Sequence, residues 1–142
     1  MRTFRWIHTT EWSRELQRRR IESERLVLIL ERLRGLLLKY DFVDQATIAA
    51  ELIDLAHLRS AAFVERISGG EVWGSAGSMA DVIGLRGYVE RPEDEMRRDS
   101  REYTRLLIDL ADKMKAQGIA SERSDFVADA FRRGLERRGN SR

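Results

Sequence analysis

From Leu26 onward, apolar residues recur in steps of three and four: Leu26, Ile29, Leu30, Leu33, Leu37 and Tyr40. With 3.6 residues to a turn, that rhythm lines one side of an α-helix. A start near Thr10 is expected, with Thr9 or Thr10 as cap and Glu11 and Glu15 at the positive end of the helix dipole. Arg18, Arg19, Arg20, Glu22 and Glu24 are too polar for a core, so residues 1–20 read as an N-terminal extension. The first break falls at Asp41 to Asp44.

From Asp44 to Ile67 the apolar positions wrap more than one side: Ile48, Ala49, Leu52, Ile53, Leu55, Ala56, Phe63, Val64 and Ile67. A single, central second helix is expected there. Glycines follow at 69, 70, 74 and 77, and the first two are well placed to end that helix. Ser78-Met79-Ala80-Asp81 reads as a capping-box variant that opens a short helix from Met79 to Leu85. Pro92 suits a first helical position, followed by Glu93, Asp94 and Glu95. A third long helix then runs to about Gln117 on Tyr103, Leu106, Leu107, Leu110 and Met114, and Gly118 stops it. Ser121 or Ser124 starts a last helix carrying Phe126, Val127, Ala130, Phe131 and Leu135. Residues 137–142 read as a basic, frayed tail. The expected fold is all-α: one domain, 1–142, a small bundle of about four long helices with a Gly-rich central connection and a short helix.

Composition narrows the chemistry. The 142 residues are 42% hydrophobic and 35% charged, enough apolar content for one core and too much for a disordered chain. With no cysteine, disulfides, a thiol nucleophile and cysteine-ligated metals are excluded, and two histidines exclude most multi-histidine zinc sites. The longest apolar run, Leu26 to Leu30, falls far short of the ~20 residues of a spanning helix. The N-terminus lacks the apolar stretch of a secretory signal. A cytoplasmic protein without membrane contact is expected, and no cofactor is implied.

Net charge is only +2, but it is unevenly spread. Residues 1–40 carry ten basic and five acidic side chains, residues 41–84 two and seven, and residues 121–142 six and four. A basic start, an acidic middle and a basic end either neutralise each other in the fold or leave the middle facing a basic partner.

Glu51, Asp54 and His57 stand three residues apart and share one side of the second helix. A metal site would need matching groups on other helices, so a polar stripe or interhelical salt bridge is expected instead. Glu51-Leu52-Ile53-Asp54 also resembles half the signature of the all-α NTP pyrophosphohydrolases. That resemblance would imply magnesium held by Glu51 and Asp54, but the upstream EExxE word is missing. The Gly-rich stretch carries no lysine and so is no phosphate-binding P-loop. It is expected either to pack tightly beside Trp73 or to form a rigid loop that shows Trp73, Ser75, Ser78 and Asp81 to a partner.

Trp73-Gly74-Ser75-Ala76-Gly77-Ser78, followed by Asp81, resembles the WGGAGSxxD word of an uncharacterised family of small helical bacterial proteins, a domain of unknown function. Ser75 stands where that word has its second glycine. The resemblance spans roughly residues 25–118. It implies no reaction, and proteins of this size and style are similar to immunity proteins of bacterial toxin systems. At the N-terminus, Phe4, Trp6 and Trp12 interleave with Arg2, Arg5 and Arg14. Stacking on nucleic acid is conceivable there, yet the low net charge and the acidic middle speak against it.

The expected function is a non-enzymatic protein-binding module, an immunity or antitoxin type that occludes a toxin of basic charge. Its contacts would come from Asp54, Glu65, Glu71 and Asp81 together with the Trp73 loop. No catalytic residue is expected, apart from Glu51 and Asp54 in the alternative of a magnesium-dependent nucleotide pyrophosphohydrolase. Spare apolar stripes leave a homodimer open.

Overall fold

The structure, a computed structural model, describes the backbone of residues 2–74, 76–85 and 89–140; side chains are described except at 2–10, 19, 21, 22, 139 and 140. It is all-α, with no strand among the described residues. Helix α1 spans Arg2–Lys39, α2 Val43–His57, α3 Ala62–Ile67, α4 Gly70–Trp73, α5 Glu93–Ala116 and α6 Glu122–Asn140; a 3-10 turn covers Met79–Val82.

The core forms where the periodic stripes meet. Leu26, Leu30, Leu33 and Leu37 on α1, with Tyr40 just past its end, are buried against Ala46, Ala49, Leu52 and Ala56 on α2, and against Tyr103, Leu107, Leu110 and Met114 on α5. The alanine seam of α2 has no side chain bulky enough to hold α1 away, so these two helices make the most extensive contact in the fold. Helix α6 packs on α5 and reaches α4.

Three helices end in the same way. After α1, the N–H groups of Asp41 and Phe42 bond the carbonyls of Leu38 and Leu37. After α2, Arg59 and Ser60 bond Ala56 and Leu55; after α5, Gly118 and Ile119 bond Lys115 and Met114. This is the Schellman pattern, and it requires a left-handed residue, supplied by Asp41 (φ 63°), Arg59 (φ 52°) and Gly118 (φ 72°).

The middle of these three corrects an expectation. The segment from Asp44 to Ile67 is not one helix: α2 stops at His57, and Ser60 Oγ accepts the Ala62 N–H as α3 begins. A second correction concerns the short helix expected from Met79 to Leu85. It is a 3-10 turn ending at Val82, beyond which Leu85 is 1% exposed with φ 48°. Helix α1 begins at Arg2, eight residues before the expected Thr10 start, and the residues expected in a frayed tail continue α6 to Asn140. Pro92 sits just before the first helical residue of α5. Ser121 caps α6, its Oγ accepting the Ser124 N–H at 3.1 Å, while Ser124 Oγ accepts the Ser121 N–H at 2.9 Å.

Candidate functional site

The sequence places most of its singled-out acidic residues on α2, α3 and α4, and one arginine draws part of them together. Arg66, on α3, donates from Nη2 to Glu51 Oε2 of α2 at 2.6 Å and to Glu71 Oε2 of α4 at 3.1 Å, with Nε to Glu71 Oε1 at 3.2 Å. The carboxylates of Glu71 and Glu51 hold the guanidinium even more firmly charged than usual. One cation between two anions leaves the group negative. Asp54, one turn along α2 from Glu51, and Glu65, beside Arg66, are exposed and add to that charge. Arg66 on α3 thus ties one carboxylate of α2 and one of α4 together.

The expected stripe of Glu51, Asp54 and His57 is present and exposed on α2. No group of three or more histidine, cysteine, aspartate or glutamate side chains suited to a metal gathers among the described residues. Glu51 itself is engaged by Arg66, as an interhelical salt bridge.

The Gly-rich loop is built differently from the displayed loop weighed above. Trp73 is 1% exposed, and its indole N–H donates to the Ile67 carbonyl at 2.8 Å. It is therefore a core residue and is not shown to a partner. Ser78 is buried as well: its Oγ accepts the Asp81 N–H at 3.2 Å, as the capping-box variant requires, and donates to the Gly74 carbonyl at 2.9 Å. The Asp81 carboxylate reaches back to the Gly77 N–H at 3.0 Å, one residue earlier than a standard box. Of the loop residues put forward, Asp81 is exposed, and Ser75 lies outside the described residues. Gln45 Nε2 donates to the Gly77 carbonyl at 3.0 Å, which ties the loop to the start of α2.

A second polar cluster was not visible in the sequence. Lys39, the last residue of α1, places Nζ 2.7 Å from Asp99 Oδ2 and 2.8 Å from Glu95 Oε1 on α5. The Tyr40 hydroxyl donates to the same Asp99 oxygen at 2.5 Å, and the Arg91 and Lys39 cations lie 5.6 and 5.8 Å from the Tyr40 ring centre. Burial raises the Asp99 pKa, but the hydrogen bonds from Lys39 and Tyr40 outweigh it and hold the carboxyl below its ordinary value. Burial, reinforced by Asp99, pushes the Tyr40 phenol up to about 12. The cluster joins the negative end of α1 to the positive end of α5 with side chains of matching charge. It latches two helices together. Lys39 is one of three lysines in the chain, the one faint signal the sequence offered.

Some cations of the basic ends pair along their own helix. Arg18 pairs with Glu15 at 2.6 Å and Arg20 with Glu24 at 3.6 Å. The side chains of Arg2, Phe4, Arg5 and Trp6, part of the stacking surface considered above, lie outside the described residues. A groove of about 1070 Å³ at the start of α5 is lined by Arg91, Arg97, Arg101 and Arg138, but also by Glu90 and Glu93, and Arg97 pairs with Glu93 at 3.4 Å. No described helix is long and apolar enough to cross a membrane.

Comparisons with protein-family models, with curated proteins and with solved structures find no match to this chain.

Proposed function

We propose that the chain is a non-enzymatic protein-binding module whose acidic face occludes a basic partner one-to-one, in the manner of an immunity or antitoxin protein. The observation that carries this is Arg66 holding Glu51 and Glu71 in place while Asp54 and Glu65 stay exposed beside them. Carboxylates held in advance lose little side-chain freedom on binding. A concentrated negative field also speeds the encounter with a positive partner and penalises acidic competitors.

The partner is identified by capture from the native host, with washes at low and high salt. Asp54→Asn, Glu65→Gln and Glu71→Gln are then combined. The triple variant is expected to associate at least about tenfold more slowly at low salt, with a flattened salt dependence. Unchanged affinity and salt response in a folded triple variant would overturn the proposal.

A further inference from the structure

The groove of about 1070 Å³ at the start of α5 gathers like charges. Arg97 and Arg101 stand one turn apart on α5, and Arg138, near the end of α6, lines the same space. Cations at that helical spacing repel each other. The fold does little to relieve them. Arg97 meets Glu93 at 3.4 Å, but both side chains are exposed, and such a pair contributes little. Arg101 is half-buried and pairs with no carboxylate among the described residues. The fourth lining arginine, Arg91, is engaged elsewhere: its guanidinium lies 3.8 Å from the Glu95 carboxylate and 5.6 Å from the Tyr40 ring centre. Against these arginines the described lining sets Glu90 and Glu93, both exposed and so screened by water and salt.

The remaining lining is apolar or fixed in place. Val89 and Met96 supply apolar surface. Ser100 Oγ donates to the Ile83 carbonyl at 2.6 Å, which fastens the chain next to Gly84 onto α5. Gly84 itself is required neither by backbone nor by packing. Its φ is not in the left-handed region, and an added Cβ would meet no atom within 4 Å. Its missing side chain leaves open space in the wall of the groove.

We propose that this groove binds a small organic phosphate, with the phosphate oxygens on Arg97, Arg101 and Arg138 and the organic part over Met96 and Val89. Guanidinium forks match phosphate oxygens in pairs and stay charged at any physiological pH. An anion set between the arginines replaces their repulsion with attraction. The space exceeds what an inorganic ion fills and suits a molecule the size of a nucleotide. The site shares no residue with the Glu51–Arg66–Glu71 cluster, so it stands or falls independently of the acidic face.

Isothermal titration calorimetry of the full chain with ADP, inorganic pyrophosphate and adenosine tests this. Wild type is expected to bind ADP saturably at one site and adenosine not measurably. Pyrophosphate, with nothing to lay over Met96 and Val89, is expected to bind about tenfold more weakly than ADP. Arg101→Gln is expected to weaken ADP binding about 10- to 100-fold, the scale of one charge-assisted hydrogen bond, with far-ultraviolet dichroism unchanged. Arg97→Gln takes its place if that variant loses helicity. Gly84→Leu fills the groove and is expected to weaken ADP while leaving pyrophosphate unaffected. Arg32→Gln, an exposed arginine of α1 outside the groove, is expected to change nothing. No saturable ADP binding, an affinity unchanged by Arg101→Gln or Gly84→Leu, or an equal loss in Arg32→Gln would each overturn the proposal. Pyrophosphate held as tightly as ADP would overturn its organic part and make the ligand an inorganic anion.

Discussion

The indole N–H of Trp73 caps the carbonyl of Ile67, 2.8 Å away, at the end of α3. One side chain thereby fills the core and satisfies a helix-terminal acceptor that water does not reach, Ile67 being fully buried. Trp73→Phe keeps most of the apolar bulk and removes the donor, at an expected cost of about 1–3 kcal/mol. Trp73→Ala adds a cavity and is expected to cost about 3–5 kcal/mol. Urea denaturation measures both; a Phe variant as stable as wild type would show that the hydrogen bond contributes nothing.

The Lys39–Asp99 latch makes a pH-dependent prediction. The Asp99 carboxyl titrates below its unfolded value of roughly 3.9, so its contribution is complete above that pH and is lost as pH falls through the lower folded value. Asp99→Asn is expected to be about 2 kcal/mol less stable at neutral pH, and the gap is expected to shrink below pH ~4. Parallel denaturation curves from neutral to acid pH provide the check. A gap that stays constant would mean that the carboxylate's charge is irrelevant to the latch.

Two glycines of the Gly-rich loop should resist substitution for different reasons. At Gly74 the backbone is ordinary, but an added Cβ would lie 2.3 Å from the Gly70 carbonyl oxygen, inside the single turn of α4. At Gly77 the space is open and the obstacle is φ of +85°. Gly77→Ala is expected to cost about 1 kcal/mol, with Gly77→Asn milder because asparagine tolerates the left-handed region. Gly74→Ala must displace backbone and is expected to cost more, about 2–3 kcal/mol. Thermal melts of the three variants give the order; a Gly74→Ala protein as stable as wild type would contradict the packing described.

How much was legible follows from range along the chain. The stripes of α1 and α5 are periodic and local, and they gave the fold. Gly118 and the Ser78–Asp81 cap use residues whose backbone preferences are strong, and both lie where expected. The stop at Arg59 was hidden because a Schellman ending normally carries glycine, whereas arginine there has no sequence signature. Trp73 beside four glycines could be read as core or as display, and only tertiary packing decides. The acidic face was legible as composition, but its assembly by Arg66 was not, because the partners Glu51 and Arg66 lie on opposite sides of an unforeseen break. Lys39 and Asp99 stand 60 positions apart, beyond the reach of local patterning, and the rarity of lysine alone does not name the partner.

The self-closed Gly-rich loop also bears on the order of folding. Its internal hydrogen bonds, Gly77 to Asp81, Ser78 to Gly74 and Trp73 to Ile67, span six residues at most. Closing so short a stretch costs little chain entropy. The Tyr103 hydroxyl must find the Met79 carbonyl across 24 positions, and the latch must find its partners across 60. Residues 67–81 are therefore placed to act as an early local nucleus, already holding the Met79 carbonyl in position when α5 arrives, while the ends of α1 and α5 lock late.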